Sequence, residues 1–178
     1  MYDKAGKLTA QWNGQSGDFA GPTTIAALLA DPGEYRLRVA ATDASGRSGA
    51  VDLQISAALI EAGPIHLGDL VLGKMGDKGP VPVMQFEGEA EALAMIELYG
   101  RPTGPLKMYV EVLNPGGQPV QVPLTPAATN EADKFVLSAR LPIASLQPGD
   151  YTVRAIVGVE GHQDGQVTTT MRKAKAGS

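Results

Sequence analysis

The sequence predicts an all-β chain built from two-sheet sandwich modules, and three observations predict it. A hairpin-plus-turn unit occurs twice at a fixed spacing, short segments of alternating apolar and polar residues recur along the 178 residues, and glycines and prolines fall between those segments. The 22 glycines and 13 prolines make up about a fifth of the chain, less than the roughly 25–30% that marks low-complexity disorder, so they punctuate short strands.

The repeated unit emerges when Pro32-Gly33-Glu34-Tyr35 is laid over Pro148-Gly149-Asp150-Tyr151, a shift of 116 residues that carries residue 35 onto residue 151. The match continues without a gap, placing Arg38 on Arg154, Gly49 on Gly165, Val51 on Val167 and Leu37 on Val153. The identities fall where geometry is demanding: proline fixes φ, glycine reaches positive φ, and the tyrosine opens a strand. After each tyrosine the chain alternates, with Tyr35, Leu37, Val39 and Ala41 on one face and Tyr151, Val153, Ala155 and Val157 on the corresponding face. Each strand runs into a polar, glycine-containing stretch, Asp43 to Gly49 or Glu160 to Gly165, and returns through Val51 to Ile55 or Val167 to Met171. Both copies are therefore predicted hairpins.

Between the copies, the pattern predicts strands near Ile65 to Leu72, Val81 to Phe86, Ala92 to Tyr99, Leu106 to Leu113, Val120 to Leu124 and Lys134 to Arg140, followed by Tyr151 to Val159 and Gln166 to Lys173. Eight short strands at this spacing suit a two-sheet sandwich. Glu87 to Tyr99 is the contested stretch, because Glu, Ala, Leu and Met favour a helix. Pairing with neighbouring strands is expected to override that preference. Asn114-Pro115-Gly116-Gly117 carries a strong turn signal.

The run Leu146-Gln147-Pro148-Gly149-Asp150-Tyr151-Thr152-Val153 resembles the tyrosine corner of immunoglobulin and fibronectin type III sandwiches, in which the Tyr hydroxyl ties the strand start to the preceding connection. The first copy, Leu29-Ala30-Asp31-Pro32-Gly33-Glu34-Tyr35, has one extra residue before the proline. The run Tyr35 to Arg47, with Leu67-Gly68-Asp69-Leu70-Val71-Leu72 and Ile96-Glu97-Leu98-Tyr99-Gly100, also resembles the C-terminal immunoglobulin-like region of some bacterial proteins that begin with a von Willebrand factor type A domain. The chain contains neither that domain nor its metal-dependent adhesion motif, so no ligand of the domain carries over. What the resemblance implies is a large bacterial parent, exported to the periplasm or extracellular space.

The expected organisation is an immunoglobulin-like β-sandwich over 62–175, preceded over 1–60 by a partial second sandwich of terminal strands only. About 34 residues precede the first hairpin, against nearly a whole sandwich before the second, so the chain is expected to start inside a domain. The face made by Leu37, Val39, Val51, Leu53 and Ile55 would then be uncovered, which predicts packing on the second module, a protein partner, or self-association as a homo-oligomer, including strand addition at an open edge.

Charge and composition narrow the function classes. Fifteen Lys and Arg against 19 Asp and Glu give a net charge of -4, so nucleic acid and anionic membranes receive no general electrostatic attraction and are not expected partners. The absence of cysteine excludes disulfides, thiolate metal ligands and Cys nucleophiles. Met1 to Gly14 holds no apolar run of signal-peptide length, and no stretch approaches the roughly 18 apolar residues of a spanning helix, so no membrane insertion and a soluble chain are expected.

No residue set predicts catalysis. Gly14-Gln15-Ser16-Gly17-Asp18 lacks the second glycine of a nucleophile elbow and any strand-to-helix context, so Ser16 reads as a loop residue. His66 lies on a strand and His162 in a hairpin loop, without the spacing that brings two imidazoles to one metal. Glu160, His162 and Asp164 form one candidate divalent-metal constellation, against which stands ordinary turn chemistry at a hairpin tip. Asp69 and Asp77 are available carboxylates with nothing to join them, and Tyr2, Trp12 and Tyr109 are the aromatic candidates for a sugar platform. No cofactor is expected beyond that candidate metal. The leading expectation is a non-catalytic structural or interaction module, and the alternative is a small metal-dependent hydrolase with a site assembled from loops or across a subunit interface.

Overall fold

In the computed structural model, which describes residues 1–19, 24, 26, 28–77, 79–113, 119–128 and 133–175, the chain divides into Met1–Ala58 and Leu59–Ser178. The first unit holds β1 (Gly33–Thr42) and β2 (Ser48–Ala57). The second holds β3 (Ile60–Ala62), β4 (Ile65–Gly76), β5 (Gly79–Pro82), β6 (Gln85–Phe86), β7 (Glu91–Gly100), β8 (Leu106–Leu113), β9 (Val120–Pro123), β10 (Thr125–Ala128), β11 (Lys134–Pro142), β12 (Gly149–Val159) and β13 (Gly165–Lys173). The one helical element among the described residues is a 3-10 turn at Ser16–Phe19, so the chain is all-β, as predicted. The predicted Asn114 to Gly117 turn lies outside the described residues.

Leu59–Ser178 is a two-sheet sandwich. One sheet runs β10-β11-β7-β4-β3, with β5 also on β4, and the other runs β6-β13-β12-β8-β9. Pairing is antiparallel except for the parallel β6-β13 contact. Leu67, Leu72, Ile96, Leu98, Leu137 and Leu141 of the first sheet and Phe86, Val110, Val112, Val153, Val157 and Met171 of the second are buried in one apolar core. Each such side chain removed from water stabilises the fold by about 1.5–3 kcal/mol.

Strand β7 shows why helix-forming residues end up extended. At period two, Ala92, Ala94, Ile96 and Leu98 all fall on the core face, and β4 and β11 satisfy the backbone on both sides. A helix would have scattered these four around its circumference. In β4 the inward residues change phase, from Ile65 and Leu67 to Leu70 and Leu72, across an irregularity in its pairing with β7 between Leu67 and Leu70. The bulge keeps both apolar pairs facing inward.

One segment expected to be a single strand is divided between the sheets, and another is followed at once by a strand of the other sheet. Val81 to Phe86 splits into β5, antiparallel to β4, and β6, parallel to β13. Pro80 and Pro82 offer no amide to extend a ladder, and the chain crosses through Val83 N–H to Leu72 O (3.0 Å). Val120 to Leu124 ends as β9 at Pro123, and beyond buried Leu124 the chain pairs with β11 as β10.

The charged exceptions to the apolar core are partnered. The buried Glu111 carboxylate accepts from Arg154 Nε (3.0 Å) and Nη2, and from Gln121 Nε2 (2.6 Å). Burial alone would push its pKa up, yet the hydrogen bonds from Arg154 and Gln121 outweigh it and hold the carboxyl below its ordinary value. Buried Lys173 donates Nζ to the Glu89 carbonyl (3.0 Å).

A tyrosine hydroxyl ties the strand start to the preceding connection in both hairpins. Tyr151 donates its hydroxyl to Gln147 O at 2.7 Å, and Tyr35 donates to Asp31 O at 2.7 Å, each four residues upstream. The extra residue before Pro32 leaves that bond intact, because the tie spans the Pro-Gly pair and not the segment before it. The 116-residue offset also carries the pairing: Tyr35↔Ile55, Leu37↔Leu53, Val39↔Val51 and Ala41↔Gly49 correspond to Tyr151↔Met171, Val153↔Thr169, Ala155↔Val167 and Val157↔Gly165. Replacing Tyr151→Phe is expected to cost about 1 kcal/mol in urea unfolding, since the Gln147 carbonyl loses its donor. A loss indistinguishable from zero would remove the hydroxyl tie as a stabilising element.

Candidate functional site

The five residues predicted to form an association face are brought together. Cross-strand partners share a side of a ribbon, so Tyr35 and Ile55, Leu37 and Leu53, and Val39 and Val51 form three apolar rows on one face of β1-β2. Arg36, Arg38, Asp52 and Gln54 occupy the other face. Arg38 Nε and Nη2 grip the Asp52 carboxylate at 2.8 and 2.7 Å. Val39, Val51 and Leu53 are 49%, 52% and 47% exposed, while Leu37 and Ile55 are half-buried. The equivalent residues of β12-β13, Val153, Ala155, Val167 and Met171, belong to the buried core.

The ribbon is closed at its tip by Asp43. Its Oδ1 accepts from Ser45 N (2.9 Å), Ser45 Oγ (2.6 Å) and Arg47 N (3.0 Å), and its Oδ2 accepts from Arg47 Nε (2.7 Å). Gly46 takes φ 83° in this turn, which a side chain would resist. At the opposite end, Tyr2 exchanges both backbone hydrogen bonds with Arg36 (2.9 Å each) on the side of β1 away from β2, with the Arg36 guanidinium 5.2 Å from the Tyr2 ring centre.

The Glu160, His162 and Asp164 constellation is less coherent. Glu160 and His162 are exposed on the β12-β13 loop, where Gly161 adopts φ 82° and His162 N–H donates to Val159 O (3.0 Å). Asp164 is half-buried, and its Oδ2 receives Lys107 Nζ at 2.8 Å. That hydrogen bond, with the attraction of the carboxylate, raises the Lys107 pKa. A fixed cation on Asp164 opposes a second one there. Gly158 lies so close that a Cβ on it would overlap the Asp164 carboxylate. Among the described residues, no three His, Asp or Glu side chains converge into a group that could hold a metal ion.

The remaining candidates are dispersed. Ser16 is exposed on its 3-10 turn, His66 is exposed on β4, and Asp69 and Asp77 are both exposed. Trp12 meets Phe19 edge-on, with ring centres 6.4 Å apart, and Tyr109 is half-buried under Lys107 Nζ at 5.5 Å from its ring centre. Among the described residues, no helix is long and apolar enough to cross a membrane.

The sequence reading expected an open edge without saying which strand carries it; among the described residues, the outer edge of β1 is one. Because Arg36 N–H and C=O turn toward Tyr2, and Asp43 N–H turns toward Arg47 on the β2 side, strand alternation directs the backbone groups of Arg38, Ala40 and Thr42 outward. Among the described residues β1 pairs with β2 and with Tyr2 alone, so these groups form an open ladder. The alignment of the two copies matches Arg36 with Thr152, but that Thr152 pairs with Leu113 of β8 is visible only in the fold.

Asp43 provides a direct check on the ribbon tip. The Ser45 hydroxyl bond, then the Arg47 backbone and side-chain bonds, lower its pKa from 3.8 to about 2. The carboxyl carbon is expected to titrate near pH 2 by nuclear magnetic resonance, and Ser45→Ala is expected to raise that midpoint. Because the folded pKa is depressed, the stabilisation is present above the unfolded value of 3.8 and is lost as pH falls toward 2. A midpoint at the unfolded value would mean that the turn is open in solution.

Comparison of the chain with protein-family models, curated proteins and solved structures found no match.

Proposed function

We propose that this chain is a non-catalytic interaction module whose working surface is the apolar face of β1-β2, in a chain that also holds an immunoglobulin-like sandwich. The observation that carries the reading is the three-row face of Tyr35, Leu37, Val39, Val51, Leu53 and Ile55, which matches in register a hairpin whose corresponding face is core. Soluble monomers rarely leave such a face open, so it marks a place where another apolar surface docks. The immunoglobulin-like assignment of the second unit is supported by strand order. Reading β4, β7, β11 and β10 as A, B, E and D gives one sheet of that fold, and β8, β12 and β13 as C, F and G give the other, with β6 parallel to G and Tyr151 at the start of F. Asp164 held by Lys107 weighs against a hydrolytic metal site on the β12-β13 loop.

The test pairs an apolar-surface dye with an activity screen. The protein is expected to bind the dye, and Val51→Lys with Leu53→Lys to reduce that signal while the β-sheet circular dichroism is retained, since Val39, Val51 and Leu53 supply most of the open apolar area of the β1-β2 face. Ester and phosphoester substrates with added zinc, calcium or manganese are expected to show no turnover. Turnover abolished by Glu160→Ala and His162→Ala, or dye binding unaffected by the lysine pair, would overturn the reading.

A further inference from the structure

We propose that Asn13-Gly14 is a self-modification site, at which the Gly14 amide nitrogen displaces the side-chain amide of Asn13 as ammonia, and that the isoaspartate formed there releases the Trp12–Phe19 ring pair.

The chain has three asparagines, Asn13, Asn114 and Asn130, followed by Gly14, Pro115 and Glu131. Attack on an asparagine side chain by the next main-chain nitrogen needs an N–H, which a proline lacks, and an uncrowded approach, which a glycine without Cβ gives best. Asn13-Gly14 is the one pair in the sequence that meets both conditions. Local structure leaves the reaction open. Trp12 to Gln15 lies outside every helix and strand, Asn13 is exposed, and among the described residues the Gly14 amide donates to no backbone carbonyl. Asn13 Oδ1 accepts from Gln11 Nε2 at 3.0 Å, which draws electron density from Cγ and stabilises the charge that forms on the oxygen during attack.

Water is the co-reactant, and nothing is oxidised or reduced. The Gly14 nitrogen gives its proton to solvent and bonds to Asn13 Cγ. The Cγ–Nδ2 bond breaks, and Nδ2 takes up a proton and leaves as ammonia. Water then adds to one of the two carbonyls of the cyclic imide. Opening at Cγ gives aspartate, whereas opening at the main-chain carbonyl gives isoaspartate, in which the chain runs through Cβ and Cγ. Either way a neutral amide becomes a carboxylate.

Packing turns this chemistry into a structural change. A Cβ on Gly14 would lie 2.6 Å from both Phe19 Cζ and Trp12 Cη2, so the two rings fill the place of a side chain. The edge-on ring pair therefore demands glycine at this position, which keeps the reactive dipeptide in place. Isoaspartate adds one atom to the main chain between Trp12 and Gly14. Contacts this close do not absorb that length, so Gly14 and the rings separate. Aspartate leaves the main chain unchanged and keeps the pair.

The folded protein is incubated in mildly alkaline buffer and sampled over time by peptide mass spectrometry, by methyl transfer from an isoaspartyl methyltransferase, and by the fluorescence of Trp12, the single tryptophan. The mass gain of amide-to-acid exchange is expected in the peptide holding Asn13 and not in those holding Asn114 or Asn130. Methyl acceptance at the same peptide and a shift of Trp12 emission to longer wavelength are expected with the same time course. Asn13→Gln is expected to abolish all three, because its side chain would have to close a larger ring. Freshly purified Asn13→Asp is expected to keep the emission of the unmodified protein, which separates the added charge from the lengthened chain. No mass gain at Asn13 with the β-sheet circular dichroism retained, or a gain that appears only in urea, overturns the site. A gain without an emission shift, or a shifted emission in fresh Asn13→Asp, overturns the release of the rings by isoaspartate.

Discussion

A tyrosine hydroxyl donating to the carbonyl four residues upstream is a small interaction, worth about 1 kcal/mol, yet it recurs at the entry of both hairpins, whose shared register decides the faces they present. The tie holds the connection onto the start of β1 and of β12, while the turn at the other end of each hairpin and the alternation of its strands fix which residues oppose each other. Register then decides which side chains share a face, because a slip by one residue would turn every apolar side chain of the ribbon to the other side. In β12-β13 the resulting face closes the sandwich core. In β1-β2 the same register produces the same kind of face, with Arg36 and Arg38 behind it.

The fold was legible wherever a local pattern had one geometric solution. Alternation placed β8, β11, β12 and β13 to within a few residues, and the Pro-Gly-x-Tyr turns located both hairpins. Strand β7 was legible only by weighing pattern against propensity: four core residues at period two, with a ladder on each side, outweigh helix preferences of a few tenths of a kcal/mol per residue. The crossings between sheets were not legible. Pro82 and Leu124 lie at places where the chain leaves one sheet for the other, and alternation cannot distinguish a continuing strand from one that changes sheet.

The candidate site divides along the same line. The apolar face of β1-β2 follows from alternation plus hairpin pairing, both local, so Leu37, Val39, Val51, Leu53 and Ile55 could be named in advance. The partner of Asp164 could not, because Lys107 is 57 residues away and reaches it only through the β8-β12 pairing. The open edge of β1 required both kinds of information. Local alternation gives the direction of its backbone groups, and the tertiary position of β8 on the equivalent edge of β12 shows which groups a neighbouring strand satisfies there.

The matched register has one more consequence, which concerns folding and not the native state. Two hairpins of one chain with the same turn, the same tyrosine tie and the same spacing of apolar residues are rival claimants for one slot beside β8. A β1-β2 ribbon set beside β8 in place of β12-β13 would offer the same backbone ladder. The differences between the copies work against that exchange. Leu53 stands where the sandwich has Thr169, and Asp52 where it has Thr168, so the wrong ribbon would bring an extra carboxylate alongside the buried Glu111 and compete for the arginine that neutralises it. Electrostatics thus sorts two ribbons that backbone geometry treats as interchangeable.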